Sequence, residues 1–364
     1  MDIERVVQQA GGTPLYVYDR QLIVERVRKL RSELPSELDI HYAVKANPMP
    51  AVIACLAPLV DGFDVASVGE MQSVLNFGAI PESVSFAGPA KSKASLRQAV
   101  AAGVTIHIES FREVDDLLDL ALHGDGGPVR VAIRVNPSFE QKGSGMKMSG
   151  GPKPFGVDAE RVPELIAKIR VGGLQFKGFH FFVGSQNLKA AVVAETQWKC
   201  LELARELTEP ATREEVTLLN LGGGIGIPYF EGDQPFDLPQ LGHSMDGLVH
   251  TARSDFPNAK MTLELGRYMV GEAGRYITRV IDKKVSRGKT YLVVDGGMNH
   301  HLAATGNLGQ LLRRNYPVSV GEKRSGVEEI VTVVGPLCTP LDVLAEDVEL
   351  IAAHVGDLIV ISQS

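Results

Sequence analysis

Residues 41–50 read H-Y-A-V-K-A-N-P-M-P, and the lysine at their centre governs how the rest of the chain is read. Residues 39–44 put Ile40, Tyr42 and Val44 on one side, the alternation of a short strand, and Asn47 with Pro48 marks the turn that ends it. Lys45 therefore falls where a buried strand runs out. Desolvation at such a point favours a neutral amine, and a neutral amine adds to an aldehyde to form a Schiff base. The plainer alternative is a lysine whose stem simply snorkels to solvent.

Working outward, strand-like runs recur at 63–66, 84–86, 105–108, 129–135, 174–182, 217–221 and 261–264. Between them, 70–77, 93–102, 110–122, 159–170, 188–207 and 241–254 carry apolar residues at helical intervals, as 21–34 does before the first. Counting the Lys45 strand, eight βα units follow one another, which predicts an α/β fold: a TIM (β/α)8 barrel over residues 26–275. Active sites of such barrels lie at the C-terminal strand ends. Lys45, Asp64, Arg134, His180, Gly222, Gly223, Gly224, Glu264, Gly266 and Arg267 all fall at or just past a predicted strand end. From Tyr276 the pattern turns β-rich, with runs at 276–281, 290–294, 329–334 and 358–361, so residues 276–364 read as a second, mostly-β domain.

Composition narrows the function classes. With 44% hydrophobic residues in 364, the chain buries a sizeable core, and a net charge of −7 with a pI near 5.8 excludes a general nucleic-acid binder. Cys55, Cys200 and Cys338 are scattered, without C-x-x-C spacing, which points to neither a disulfide framework nor structural zinc and fits a reducing, cytoplasmic compartment. The N-terminus lacks the apolar core of a signal peptide, and the longest apolar run, 49–60, is too short to span a membrane and contains Pro50 and Pro58. His300 and His301 adjoin, but side chains of neighbours on an extended segment point apart, so no metal is expected.

Two motifs point to chemistry. In L-G-G-G-I-G (221–226) a glycine loop follows a strand, letting backbone N–H groups approach a phosphate; the trailing G-K-[ST] of a Walker loop is missing, and a tight strand-to-helix turn is the structural alternative. Gly266 and Arg267, ending the next strand, make one phosphate held by two adjacent loops plausible. Glu264, a carboxylate at a buried strand end, requires a cationic partner, whether an ordinary salt bridge or a bound group. The Gly- and Lys-rich segment 141–156 reads either as a solvated loop or as a lid over the site.

Eight motifs in order, YAVKANP, GFDVASVGE (62–70), VAIRVNP (131–137), GFHFFVGSQ (178–186), LNLGGGIGIPYF (219–230), LELGR (263–267), VDGGM (294–298) and VGPLCTPLD (334–342), resemble the fold-type III decarboxylases dependent on pyridoxal 5'-phosphate. The resemblance implies an alanine racemase-like arrangement in which residues 1–25, including the strand Leu15–Tyr18, join the β-domain. It implies that Lys45 holds the cofactor and that the glycines, Arg267 and Ser185 hold its phosphate. Glu264 would keep the pyridinium protonated, a better electron sink than the arginine that racemases carry at this point. Asp64, Glu70, Arg134 and His180 would line the cofactor pocket. Cys338, contributed across a homodimer with shared active sites, would protonate the carbanion, and Asp342 would belong to the substrate loop.

Three departures stand out. Phe182 occupies the position of a stacking histidine; a phenyl ring stacks but carries no proton. Thr339 stands where ornithine and diaminopimelate decarboxylases bring an acid to the substrate's distal ammonium. The sequence stops at Ser364, whereas family members continue into a G-A-Y-G segment whose tyrosine reaches the phosphate, so the β-domain is expected to be incomplete here.

SGMKMSGGPKPFG (144–156), VDGGMNHH (294–301) and RRNYP (313–317) further resemble the family branch that decarboxylates glutamate carried as a thioester on an acyl carrier protein, as in the butirosin pathway, together with exosortase-associated relatives. Arg313, Arg314 and Lys147 would then meet the carrier or its arm. The alternatives are a diaminopimelate, ornithine or lysine decarboxylase, a racemase, and a non-catalytic cofactor-binding protein.

Overall fold

In the computed structural model, residues 2–364 are described apart from 124–126, 231, 309, 311–312 and 322–324. The chain divides into two compact units, one of Ile23–Ile227 with Pro235–Val270, the other of Met1–Leu22, Pro228–Gln234 and Gly271–Ser364.

In the first unit, parallel strands Leu38–Ala43, Gly62–Val65, Val84–Phe86, Thr105–Ile108, Arg130–Asn136, Gln175–Phe181, Leu218–Asn220 and Lys260–Leu265 each pair with the next. The last pairs with the first, closing an eight-strand barrel. The alternating pattern locates every strand to within a residue at either end, because each is a short apolar run bounded by turn residues. Helices return along the outside. Lys93–Ala102 shows why its limits were readable: the Ser92 hydroxyl caps it by accepting from the Ser95 N–H, and Gly103 ends it in the left-handed conformation. The run 49–60, read only as too short for a membrane span, contains the helix Pro50–Leu56, which starts on its proline and buries Val52, Ile53 and Leu56. Among the described residues no helix is long and apolar enough to cross a membrane.

The second unit is a seven-stranded sheet in the order Val318–Val320, Leu358–Ser362, Gly274–Ser286, Lys289–Val294, Glu328–Val334, Val343–Ile351, with Leu15–Tyr18 also paired to Gly274–Ser286. The N-terminal strand is antiparallel, Leu15 facing Ile277. Just before it, the helix Ile3–Ala10 buries Ile3 and Val7 against Ile277, Leu358 and Val360. The sequence reading passes over Val343–Ile351, whose exposed side carries Glu346 and Asp347 and so breaks the apolar run.

Candidate active site

The strand Leu38–Ala43 ends a residue earlier than its alternation suggests, and Val44–Ala46 forms a single 3-10 turn that carries Lys45 out of the barrel end. Its neighbour in the barrel is Lys260–Leu265, with His41 opposite Glu264. This pairing brings Lys45 Nζ to 2.9 Å from Glu264 Oε1. The two side chains are unequal: Lys45 is 51% exposed and Glu264 only 2%. The desolvation anticipated for the lysine is therefore not found; the carboxylate is the buried partner, because it ends a strand inside the barrel wall whereas the turn lifts Lys45 into the opening.

Glu264 Oε2 lies 3.0 Å from His180 Nε2. Burial would raise the Glu264 carboxyl, but the Lys45 charge and the His180 hydrogen bond outweigh it and hold the group well below the usual carboxylate range. Behind His180, the His107 ring packs with centroids 4.3 Å apart. Burial, then the neighbouring His180, holds His107 well below its ordinary value, and neither of its ring nitrogens has a hydrogen-bond partner among the described residues. His180 Nδ1 is likewise buried and unpartnered, so the proton of this ring belongs on Nε2, donated to Glu264.

A cavity of about 430 Å³ opens at these strand ends. Of the sequence-singled residues, Lys45, Asp64, Arg134, Phe182, Ser185, Gly224, Glu264, Gly266 and Arg267 line it. Phe182 packs under the Lys45 ammonium, its ring centre 4.6 Å from Nζ. Gly222, Gly223 and His180 do not line the cavity. Gly222 adopts φ +67°, and a Cβ there would stand 2.4 Å from the Phe181 carbonyl oxygen; one on Gly223 would stand 2.1 Å from that of Glu264. These two glycines let the loop pass between strand ends, leaving Gly224 and Ile225 at the surface of the cavity.

Other candidates take structural positions. Glu70 accepts the Ala66 N–H at 2.7 Å, and its own N–H is capped by Ser67, so it closes the capping turn that starts the helix Val68–Asn76 and does not line the cavity. The segment 141–156 is part of the wall: Met146–Lys147 pairs with Gly184–Ser185, and Met146, Met148 and Phe155 line the cavity. Cys338, Thr339, Asp342 and Arg313 belong to the β-rich unit. Cys338 is exposed there. Asp342 is buried and accepts the N–H groups of Met298 and Leu337 at 2.5 and 2.8 Å, which clamps its loop. Arg313 donates to the Val343 carbonyl at 2.5 Å. The Lys147 side chain lies outside the described residues. His301 is bonded to Ser364, and the described residues contain no group of three or more His, Cys, Asp or Glu that could hold a metal.

Residues missed at the sequence level include His41, whose Nδ1 lies 3.4 Å from Asp64, and the pairs Glu109–Arg134 and Lys91–Glu113. Burial would lower the His41 value, but the Asp64 charge beside it outweighs that and raises it. Glu109 was detectable as a charged residue at the end of an otherwise apolar strand.

These residues fit a phosphorylated aromatic cation. Glu264 is a buried, ionised carboxylate facing the cavity; Asp64, beside His41, is a second buried carboxylate of its wall; Gly224, Ser185, Gly266 and Arg267 also line it and carry the donors a phosphate requires. Residues 20–271 match the family described as "Pyridoxal-dependent decarboxylase, pyridoxal binding domain". L-glutamyl-[BtrI acyl-carrier protein] decarboxylase of Niallia circulans is 34% identical, covering 97% of this chain and 83% of its own length. Diaminopimelate decarboxylase of Aquifex aeolicus is also 34% identical, over 97% of this chain and 81% of its own. The crystal structure of diaminopimelate decarboxylase from Helicobacter pylori complexed with L-lysine superposes with a TM-score of 0.86 at 27% identity, covering 99% of this chain and 88% of that one. With the family's pyridoxal-binding domain running the length of the barrel that gathers Lys45 and Glu264, the chain belongs to the pyridoxal-dependent decarboxylases, carboxy-lyases whose cofactor is pyridoxal phosphate.

Proposed function

We propose that the protein removes the α-carboxyl group of an L-amino acid whose far end bears no free ammonium, such as a glutamyl group joined to an acyl carrier protein. The observation that carries this reading is the charge of the cavity wall. Lys45, Arg134 and Arg267 line it, and among the described residues its carboxylates are Asp64 and Glu264, the first beside His41 and the second held by Lys45 and His180. A distal ammonium entering there would meet no spare acid, at a cost of several kcal/mol. Met146, Met148, Phe155 and Phe182 offer instead an apolar wall suited to a neutral chain. The likeness to the Niallia circulans carrier-protein decarboxylase supports the same substrate class. Diaminopimelate decarboxylation is the second reading, favoured by the Aquifex aeolicus relative. The two separate when CO₂ release is measured at equal concentration from diaminopimelate, ornithine, lysine and a glutamyl group capped or carrier-bound through its side chain. The capped substrate is expected to be turned over at least about 10-fold better in kcat/KM than any free diamino acid. Efficient turnover of diaminopimelate with the glutamyl substrate inert would replace the first reading by the second.

Pyridoxal phosphate, when bound, supplies the electron sink that makes loss of CO₂ from Cα feasible. In this reading Lys45 is the amine that holds its aldehyde, and Gly224, Ser185, Gly266 and Arg267 anchor its phosphate. Glu264, oriented by the His180 Nε2–H, would be the carboxylate that meets the cofactor's ring nitrogen and favours its protonated form, which suits decarboxylation over racemisation. Phe182, in the cavity wall, would stack on the cofactor but carries no proton, so protonation of Cα would need another donor.

That donor is Cys338 of a second copy in a head-to-tail homodimer. The supporting observation is that Cys338 is exposed, with the exposed Leu337 and Leu341 beside it. All three cysteines are free, as suits a cytoplasmic enzyme. Lys45→Ala and Cys338→Ala chains, each inactive alone, are expected to regain roughly a quarter of wild-type activity on mixing, because half the dimers become hybrids with one intact site of two. No recovery despite mass-spectrometric proof of hybrids would mean that one chain builds the whole site.

A further inference from the structure

Glu109 does not line the cavity, yet its one carboxylate joins three separate pieces of the cavity wall. Oε1 accepts from the Gly88 N–H at 2.5 Å and from Arg134 Nη1 at 2.9 Å; Oε2 accepts from the Gly156 N–H at 3.1 Å. Gly88 belongs to the loop after Val84–Phe86, Arg134 to the strand Arg130–Asn136, and Gly156 follows the wall residue Phe155. The Glu109 side chain is 2% exposed. Burial pushes its carboxyl up, but the charges of Arg134 and then Lys91 prevail and hold it below the usual range. The support extends one layer outward: the Glu109 N–H donates to Glu113 at 2.8 Å, Glu113 pairs with the buried Lys91 at 3.1 Å, and Lys91 donates to the Gly88 carbonyl at 2.5 Å. On its other side the Arg134 guanidinium faces the rings of Phe155 and Phe182, 5.1 and 5.9 Å from their centres.

We propose that Glu109 is a positioning residue of the decarboxylase site. By anchoring Arg134 it sets the guanidinium against Phe182, the ring that also carries Lys45, and by binding the Gly156 N–H it pins the end of the 141–156 wall segment. Three wall elements thus share one buried charge, so losing that charge loosens all three together. Two of the three donors are backbone N–H groups that a neutral amide oxygen still satisfies in part; the guanidinium is the partner that depends on the charge. This inference rests on the cavity being the cofactor site.

The test compares wild type, Glu109→Gln, Arg134→Met and the double variant. Cofactor affinity is read by titrating cofactor-free protein with pyridoxal phosphate and following its absorbance. Wall order is read from tryptic cleavage within 141–156 in the cofactor-free protein. Glu109→Gln is expected to weaken pyridoxal phosphate about 10- to 100-fold, as loss of a partner behind a direct ligand does, and to speed cleavage in the segment. The double variant is expected to bind no more weakly than Arg134→Met alone, since Glu109 acts through Arg134. If Glu109→Gln does not fold, Glu109→Asp, which keeps the charge but cannot span all three donors, is expected to show both changes in smaller measure. Wild-type affinity and cleavage in the folded variant, or strictly additive losses in the double variant, would overturn the proposal. Failure of wild type itself to bind pyridoxal phosphate would instead remove the site reading on which it rests.

Discussion

Lys45→Ala is expected to lose CO₂ release by at least about 10⁴-fold in kcat, the scale seen when an enzyme's covalent nucleophile is removed. Borohydride treatment of the wild-type holoenzyme should attach the cofactor to a single peptide, the one containing Lys45, and the variant should take up none. Two lysines with described side chains stand near the cavity, and they differ sharply. Lys91 is fully enclosed, tied to Glu113 and to the Gly88 carbonyl, with burial lowering its ordinary value. Lys45 is half-exposed, reaches the cavity, and is paired with Glu264. An amine that must meet a diffusing aldehyde and later be displaced by substrate needs the second situation. Cofactor fixed on Lys91, or a Lys45→Ala protein retaining a tenth of its activity, would refute the assignment.

The second large effect belongs to Glu264→Gln, expected to lower kcat about 10²–10³-fold, comparable to removing a preorganised electrostatic group from other active sites. The amide keeps the shape and still accepts from His180 through its one oxygen, but it turns an N–H donor toward Lys45, so the loss reports the missing charge together with that contact. Cofactor should still bind, because its anchors on Lys45 and the phosphate loops are untouched; a variant with unchanged kcat would show that the ring nitrogen needs no anion. Glu264 also contributes to the pH dependence of stability. Its folded-state pKa lies well below the unfolded value, so its contribution is present above the unfolded carboxyl pKa and is lost as pH falls through the folded one. Urea unfolding midpoints of wild type should therefore fall more steeply than those of Glu264→Gln when the pH is taken from neutral into the acid range.

How much of this was readable beforehand differs between fold and site. The barrel was legible strand by strand, since each barrel strand is an apolar run whose length and boundaries are local properties; residues 93–102 carry both of their helix stops in Ser92 and Gly103. The β-rich unit was half legible. Val343–Ile351 escaped because an edge strand with one solvated face holds acidic residues that interrupt any local apolar signal.

At the site, the order of residues along the chain already says which side chains stand at strand ends, because a closed parallel barrel leaves each strand one C-terminal end facing the same mouth. Lys45, Asp64, Arg134 and Glu264 are brought to one cavity in this way. The partners and burial of each come from the folded chain. That Glu264 is the buried partner and Lys45 the open one, that His180 stands behind the site, that Gly222 and Gly223 serve chain passage, that Asp342 clamps its own loop, and that Glu109 joins three wall segments all follow from contacts between residues far apart in the chain. Spacing along a strand fixes which way a side chain points; its charge state and partners depend on what the neighbouring strands and loops bring to within about 3 Å, the hydrogen-bond distance, and no local pattern encodes that.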